Sequence, residues 1–115
     1  MESTRQNKIA RLVQKNLGEI FRVQSTNIFD GAMITVTKTY VTKDLSIARV
    51  YVSIFCKNDN VKKNEIFEKI LLNKSYLRKL LGINIGKQVR LIPELEFFID
   101  DSLDYIENIE RLLKK

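Results

Sequence analysis

Residues 74–90 hold Lys74, Arg78, Lys79, Lys87 and Arg90 and no carboxylate. Lysine chemistry stays formally open to such a segment, but what it does most directly is neutralise phosphates and give them charge-assisted hydrogen bonds. Four further cations, Lys8, Arg11, Lys15 and Arg22, stand three, four and seven residues apart. At about 100° per residue that spacing draws one narrow stripe along a helix. Alone, the stripe is as readily a solvated back face as a binding face. Beside the second basic segment it becomes half of an anion-binding surface. The whole chain has 20 Lys and Arg against 14 Asp and Glu, a formal net charge of +6. That balance attracts nucleic acid or an acidic membrane surface, and charge does not choose between them.

The chemistry that is missing narrows the choice. The chain has no histidine and a single cysteine, Cys56. The commonest general base, the thiol–imidazole pair and transition-metal sites are therefore largely out of reach, and no internal disulfide can form. No catalytic residue, metal or cofactor is expected. Carboxylate chemistry stays formally open, because residues 94–110 carry seven Asp and Glu with no Lys or Arg. Asp104, Glu107 and Glu110 would spread along exposed turns, however, which reads as a solvated acidic face. The N-terminus has no apolar core of signal-peptide type, and no run approaches ~18 apolar residues. Cytoplasmic placement and no membrane span are the expectations.

These cations need elements to hold them. At 115 residues the length fits one domain over 1–115 with a single core. Ile9, Leu12, Val13, Leu17, Ile20 and Phe21 predict a helix over 4–22, with Ser3 or Thr4 as its cap. A polar connector follows, with a turn at Asp30-Gly31. The β-branched run 33–42 predicts a strand in which Ile34, Val36 and Tyr40 share a face with Lys38. After a turn at 42–46, residues 47–56 alternate: Ala48, Val50, Val52 and Ile54 on one side, Arg49, Tyr51 and Ser53 on the other. The two strands make an antiparallel hairpin. A helix from near Val61 buries Ile66, Phe67, Ile70 and Leu71. It breaks at Asn73-Lys74-Ser75, whose side chains compete for backbone hydrogen bonds. A second helix from Ser75 to about Lys87 buries Leu77, Leu80, Leu81 and Ile85, with Gly82 and Gly86 inside it. Pro93 starts a strand whose Leu95, Phe97 and Ile99 face the core. Asp100-Asp101-Ser102 caps a last helix with Leu103, Ile106, Ile109, Leu112 and Leu113 on its apolar side.

The order is α-β-β-α-kink-α-β-α, an α+β sandwich with a three-stranded sheet covered by helices. Through the first six elements it is the type II arrangement of a KH-like fold. KH domains grip single strands with a GXXG loop between two helices. Here Asn73-Lys74-Ser75 occupies that place, so the usual clamp is missing.

The hairpin VTKTYVTKDLSIARVYVSIF, the junction SYLRKLL and the run VRLIPELEFFIDDSLDYIENIERLL resemble the ribosome-binding factor A family over nearly the whole chain. The most specific parts are Pro93-Glu94-Leu95-Glu96-Phe97 with Asp101 and Ser102, then Asp44 to Val52. The resemblance implies a KH-like fold with a kinked helix pair and a role in cold shock and ribosome biogenesis. It implies binding to the small (30S) ribosomal subunit and late maturation of 16S rRNA near its 5′ terminal helix. It also implies release linked to an assembly GTPase, and a monomer. Family members usually carry alanine-x-glycine at the kink, where this chain has Asn73-Lys74-Ser75.

On this reading Lys74, Arg78, Lys79, Lys87 and Arg90, with Lys8, Arg11 and Lys15 if the helices adjoin, contact rRNA phosphates. Charge reversal at Arg78 and Lys79 is then expected to abolish binding without changing the melting temperature. Three rivals are a general RNA-binding KH-like protein, an amphipathic membrane-surface protein, and a small carboxylate enzyme. Globular patterning and an expected absence of exposed aromatics speak against the second. The third lacks a paired-acid cleft and a phosphate loop.

Overall fold

The computed structural model describes residues 3–56 and 60–100. The chain runs α1 (Thr4–Ile28), β1 (Met33–Val41), β2 (Ile47–Phe55), α2 (Lys63–Leu72), α3 (Lys74–Ile85) and β3 (Glu94–Ile99). The last helix read from the sequence lies outside the described residues. The strands form one sheet in the order β1-β2-β3. β1 and β2 pair antiparallel, and β2 and β3 parallel. A parallel pair needs a long crossover, and the kinked pair α2–α3 supplies it. The α+β, KH-like type II order is therefore present.

α1 begins with a capping box. Ser3 Oγ accepts from the Gln6 N–H, and Gln6 Oε1 accepts from the Ser3 N–H at 2.9 Å. Such a cap contributes about 1 kcal/mol. Gln6 is itself buried and its Nε2 donates to the Val41 carbonyl at 3.0 Å, tying the helix start to the end of β1. α1 continues to Ile28, past the expected stop, and delivers Phe29 fully buried into the core. The Asp30-Gly31 turn follows, with both residues at positive φ. Phe21 meets Phe29 and Phe97 edge-on, with ring centroids 5.7 and 6.1 Å apart. Val13 and Leu17 of α1, Val50 and Val52 of β2, Ile66 and Ile70 of α2, and Leu77, Leu81 and Ile85 of α3 complete the core.

Three expectations about facing are corrected. A bulge between Val36 and Lys38 shifts the register of β1, so Thr39 and Val41 turn inward and Tyr40 turns out. One inserted residue reverses the alternation of everything after it. Leu71 is exposed, on the side of α2 away from Ile66 and Ile70. Ile99 is exposed as well, being the terminal rung of its ladder, opposite Val52.

The expected absence of exposed aromatics is corrected: Tyr40, Phe55, Tyr76 and Phe98 are all exposed, Phe98 because strand alternation turns it away from the Leu95–Phe97 side. Three of them belong to the sheet, not to the basic helices. No helix among the described residues is long and apolar enough to cross a membrane.

The kink falls where Asn73 predicts it. Asn73 closes α2 and opens α3, and its Nδ2 donates back to the Lys69 carbonyl at 2.8 Å. The same carbonyl also accepts from the Asn73 backbone N–H at 3.0 Å, so side chain and backbone share one acceptor at the helix end. α3 ends at Ile85, so Gly86 is its C-cap and not an interior residue. A methyl at Gly86 would lie 2.5 Å from the Gly82 carbonyl oxygen. Only glycine fits there, a tighter constraint than the loose packing role that the GxxxG spacing suggests.

Candidate nucleic-acid interface

The basic stripe of α1 does not face open water alone. A groove of about 1380 Å³ runs between the first half of α1, the β1–β2 turn at 42–46 and the segment 88–91. Its rim carries Arg5, Lys8, Arg11, Lys15, Lys43 and Arg90, with Asp44 as the one acid. Ile9, Leu12, Leu45 and Val89, all half-buried, line its floor. The outer edge of the apolar stripe on α1 thus doubles as the bed of the groove.

A second, shallower groove of about 440 Å³ is lined by Ser75, Arg78, Lys79, Gly82, Arg90, Leu91 and Ile92. Arg90 and Leu91 line both, so the grooves are continuous. The segment that leaves α3 is therefore the bridge between the two basic helices.

Of the expected site residues, Lys8, Arg11, Lys15 and Arg90 come together around the first groove, and Lys79 and Arg78 meet Arg90 around the second. Lys74, at the start of α3, and Lys87, just after it, line neither groove. Arg22 continues the α1 stripe but pairs with Glu19, so its charge is met within the helix. Among the described residues none of the six rim cations is in an ion pair; the described pairs are Arg22–Glu19, Arg49–Glu96 and Lys69–Asp30.

Arg78 has a different task from its neighbours. It is half-buried, and its Nη2 and Nε donate to the carbonyls of Ile92 at 2.7 Å and Pro93 at 3.2 Å. The guanidinium fork holds the strand entrance against α3. These bonds speak against the expectation that charge reversal at Arg78 leaves the melting temperature nearly unchanged.

Arg5 and Lys43 escaped sequence reading. Arg5 stands three residues before Lys8, so the signal was there as one more step of the same stripe. Lys43 gave no local signal, since only the hairpin's return brings it beside α1.

Asp44 is not a partner of these cations but the hub of its own turn. Its Oδ1 accepts from Ser46 Oγ and Thr42 Oγ1, each at 2.7 Å, and from the Ser46 N–H at 3.1 Å. The Ser46 hydroxyl first, then Thr42 and the Ser46 N–H, hold its carboxyl below the ordinary aspartate range. The sign follows: a carboxyl whose pKa falls on folding stabilises above its unfolded pKa and loses that contribution as pH drops through the folded value. Asp44→Asn, which keeps a neutral acceptor, should melt below the wild type at pH 6 and match it at the acid end. Thermal melts as a function of pH test this; a gap that persists in acid would place the effect outside the carboxylate.

Among the described residues no three His, Cys, Asp or Glu side chains gather where a metal could sit. A cationic rim over an apolar floor can hold a phosphodiester backbone by charge and contact.

Comparison with known proteins shows the family to which this fold belongs. The profile of ribosome-binding factor A matches residues 5–113. The chain is 43% identical over 115 residues to the ribosome-binding factor A of Cytophaga hutchinsonii, covering 100% of this chain and 84% of that one. It is 42% identical over 114 residues to that of Flavobacterium johnsoniae, covering 98% and 85%. Among solved structures, the crystal structure of Thermus thermophilus ribosome-binding factor A superposes with a TM-score of 0.66 at 19% identity, covering 82% of this chain and 94% of that one. A Thermus thermophilus homology model fitted into the cryo-EM map of a 30S complex gives 0.59 at 21% identity, covering 78% and 89%. At such identities the structures speak for the fold. The match across the full sequence speaks for descent, and by it the chain belongs to the ribosome-binding factor A family.

Proposed function

We propose that this protein is a single-domain ribosome assembly factor, 1–115, that binds the small ribosomal subunit through rRNA phosphates. In this reading it acts late in maturation of 16S rRNA near the 5′ terminal helix. It works as a cytoplasmic monomer without catalysis, meets the demands of cold growth, and leaves with the help of an assembly GTPase. The observation that carries the reading is the groove in which six cations from three separate segments converge while the acids lie elsewhere or are bound in their own turn. Family membership and the 30S complex of the Thermus thermophilus relative support the choice of partner.

The contacts assigned to rRNA are Lys8, Arg11, Lys15 and Arg90 at the main groove, with Lys79 and Arg78 beside them. Arg5 and Lys43 join the rim, and Lys74 and Lys87 are flanking charges. Phosphate contacts position and do not read sequence. Selectivity therefore comes from the shape of the subunit surface, the usual way folded RNA is recognised.

The test is a sucrose gradient of growing cells together with mapping of the 16S rRNA 5′ end. The protein should travel with free 30S particles and be absent from 70S. Depletion should delay 5′-end processing, most strongly in the cold. On-time processing in depleted cells would remove the maturation role. Sedimentation with anionic liposomes in place of 30S particles would favour the membrane alternative.

A further inference from the structure

The groove between α1, the turn at 42–46 and the segment 88–91 has two features that phosphate binding alone leaves unused. The first is its floor. Ile9, Leu12, Leu45 and Val89 are half-buried, each packed against the core on one side and lining the groove on the other. In a paired RNA helix the phosphates lie outermost, while the bases are turned inward and stacked. A duplex resting on the six cations would leave this floor in water. Bases splayed from an unpaired strand, in contrast, present flat apolar faces that can descend past their own phosphates.

The second feature is the turn that supplies Leu45 and the one acid of the rim. Leu45 has a φ of 64°, a left-handed conformation that a branched side chain rarely adopts. Glycine would make the same turn without strain, so strain kept at a leucine points to a task for its side chain. The turn holds it firmly: the Leu45 N–H donates to the Thr42 carbonyl at 2.8 Å, and the Ile47 N–H to Thr42 Oγ1 at 3.1 Å. The bonds of the Asp44 hub all end on Oδ1, and among the described residues Asp44 Oδ2 meets no donor. A carboxylate amid cations repels a phosphate at that point and suits a hydrogen-bond donor. Base amino and imino groups and the ribose 2′-hydroxyl are donors, whereas a phosphodiester has none.

We propose that the groove takes unpaired rRNA nucleotides, with bases seated on Ile9, Leu12, Leu45 and Val89, phosphates on the cationic rim and a base or ribose donor on Asp44. The proposal rests on the reading of this groove as the rRNA site. At about 1380 Å³ the groove exceeds the roughly 300–1,000 Å³ of a small-molecule pocket, which leaves room for more than one nucleotide. The apolar floor thus supplies a preference for single strands that the missing GXXG loop would supply elsewhere in a KH domain.

Nuclear magnetic resonance of the full-length chain, labelled at methyl groups and amides, tests it against two probes. One is a short adenine-and-cytosine RNA strand that does not self-pair, the other an RNA hairpin with the same number of phosphates. The amide signals of Lys8 and Arg11 should shift with both, and the methyl signals of Ile9, Leu12, Leu45 and Val89 with the strand alone. Leu12→Ala together with Leu45→Ala should lower affinity for the strand on the order of 10-fold. It should leave hairpin affinity and the salt slope unchanged, because no charge is lost. Methyl signals that stay put while Lys8 and Arg11 shift, or that move equally with the hairpin, would overturn the proposal and leave the phosphate reading of the groove standing. Silence of Lys8 and Arg11 with both RNAs would overturn the two together. Methyl shifts produced only by an acidic peptide of equal charge would also overturn the proposal, by assigning the floor to a protein partner.

Discussion

Replacing Lys8, Arg11, Lys15 and Arg90 together by Gln should lower affinity for small ribosomal subunits on the order of 100-fold, about 2.7 kcal/mol, and leave the fold intact. The size follows from counting charges. Each phosphate contact contributes roughly 0.7 to 0.9 to the log–log salt slope, so losing four flattens it by about 3. Stability should scarcely change, because the three α1 side chains and Arg90 are exposed and in no described ion pair. Relief of repulsion among like charges could even raise it slightly. The measurement is co-sedimentation with 30S particles over a salt series, with thermal melts alongside. An unchanged slope would mean that these four groups meet no phosphate, and the groove would lose its assignment. Lys74 and Lys87, which line neither groove, serve as the control: their double Gln variant should shift affinity far less than the quadruple one.

Much of this surface was legible because a helix writes its faces into the sequence at fixed spacing. The stripe Lys8, Arg11, Lys15 and the opposite row Val13, Leu17, Ile20 needed only the helical period, and the structure keeps both. The kink was legible for a related reason, since Asn73 has a short side chain that bonds back to the local backbone, here to the Lys69 carbonyl at the end of α2. What stayed hidden is nonlocal. The bulge at Thr37 inserts one residue against β2 and flips Tyr40 outward, and strand alternation carries no mark of it. Lys43 reaches the groove only when the hairpin folds back beside α1. Alternation alone turns Tyr51 and Phe98 outward, but their meeting with Tyr40 was hidden, because it needs both the bulge and the pairing of three strands.

Arg78 shows how an acid-free basic segment can mislead. By sequence it is one more cation between Lys74 and Lys79. In the fold it is a latch, and Arg78→Lys should lower the melting temperature although the charge is kept. Lysine has one ammonium where arginine has a planar fork, so it cannot hold both the Ile92 and Pro93 carbonyls in this geometry. Hydrogen bonds to charged donors contribute about 1.5–3 kcal/mol each. Partial solvent access and the one bond lysine can still make reduce the expected loss to roughly 2 kcal/mol. For a chain of this size that is a fall of roughly 8 °C. Lys79→Gln, one residue away and exposed, should leave the melt unchanged while weakening 30S binding. The pair of variants separates the two roles that a charge count merges. If Arg78→Lys melts with the wild type, the carbonyl latch contributes nothing to stability, and Arg78 returns to the set of simple phosphate ligands. If it melts early, Arg78 supports the interface by holding the entrance to β3, and a salt slope kept by Arg78→Gln as well would leave the charge of the second groove to Lys79 and Arg90.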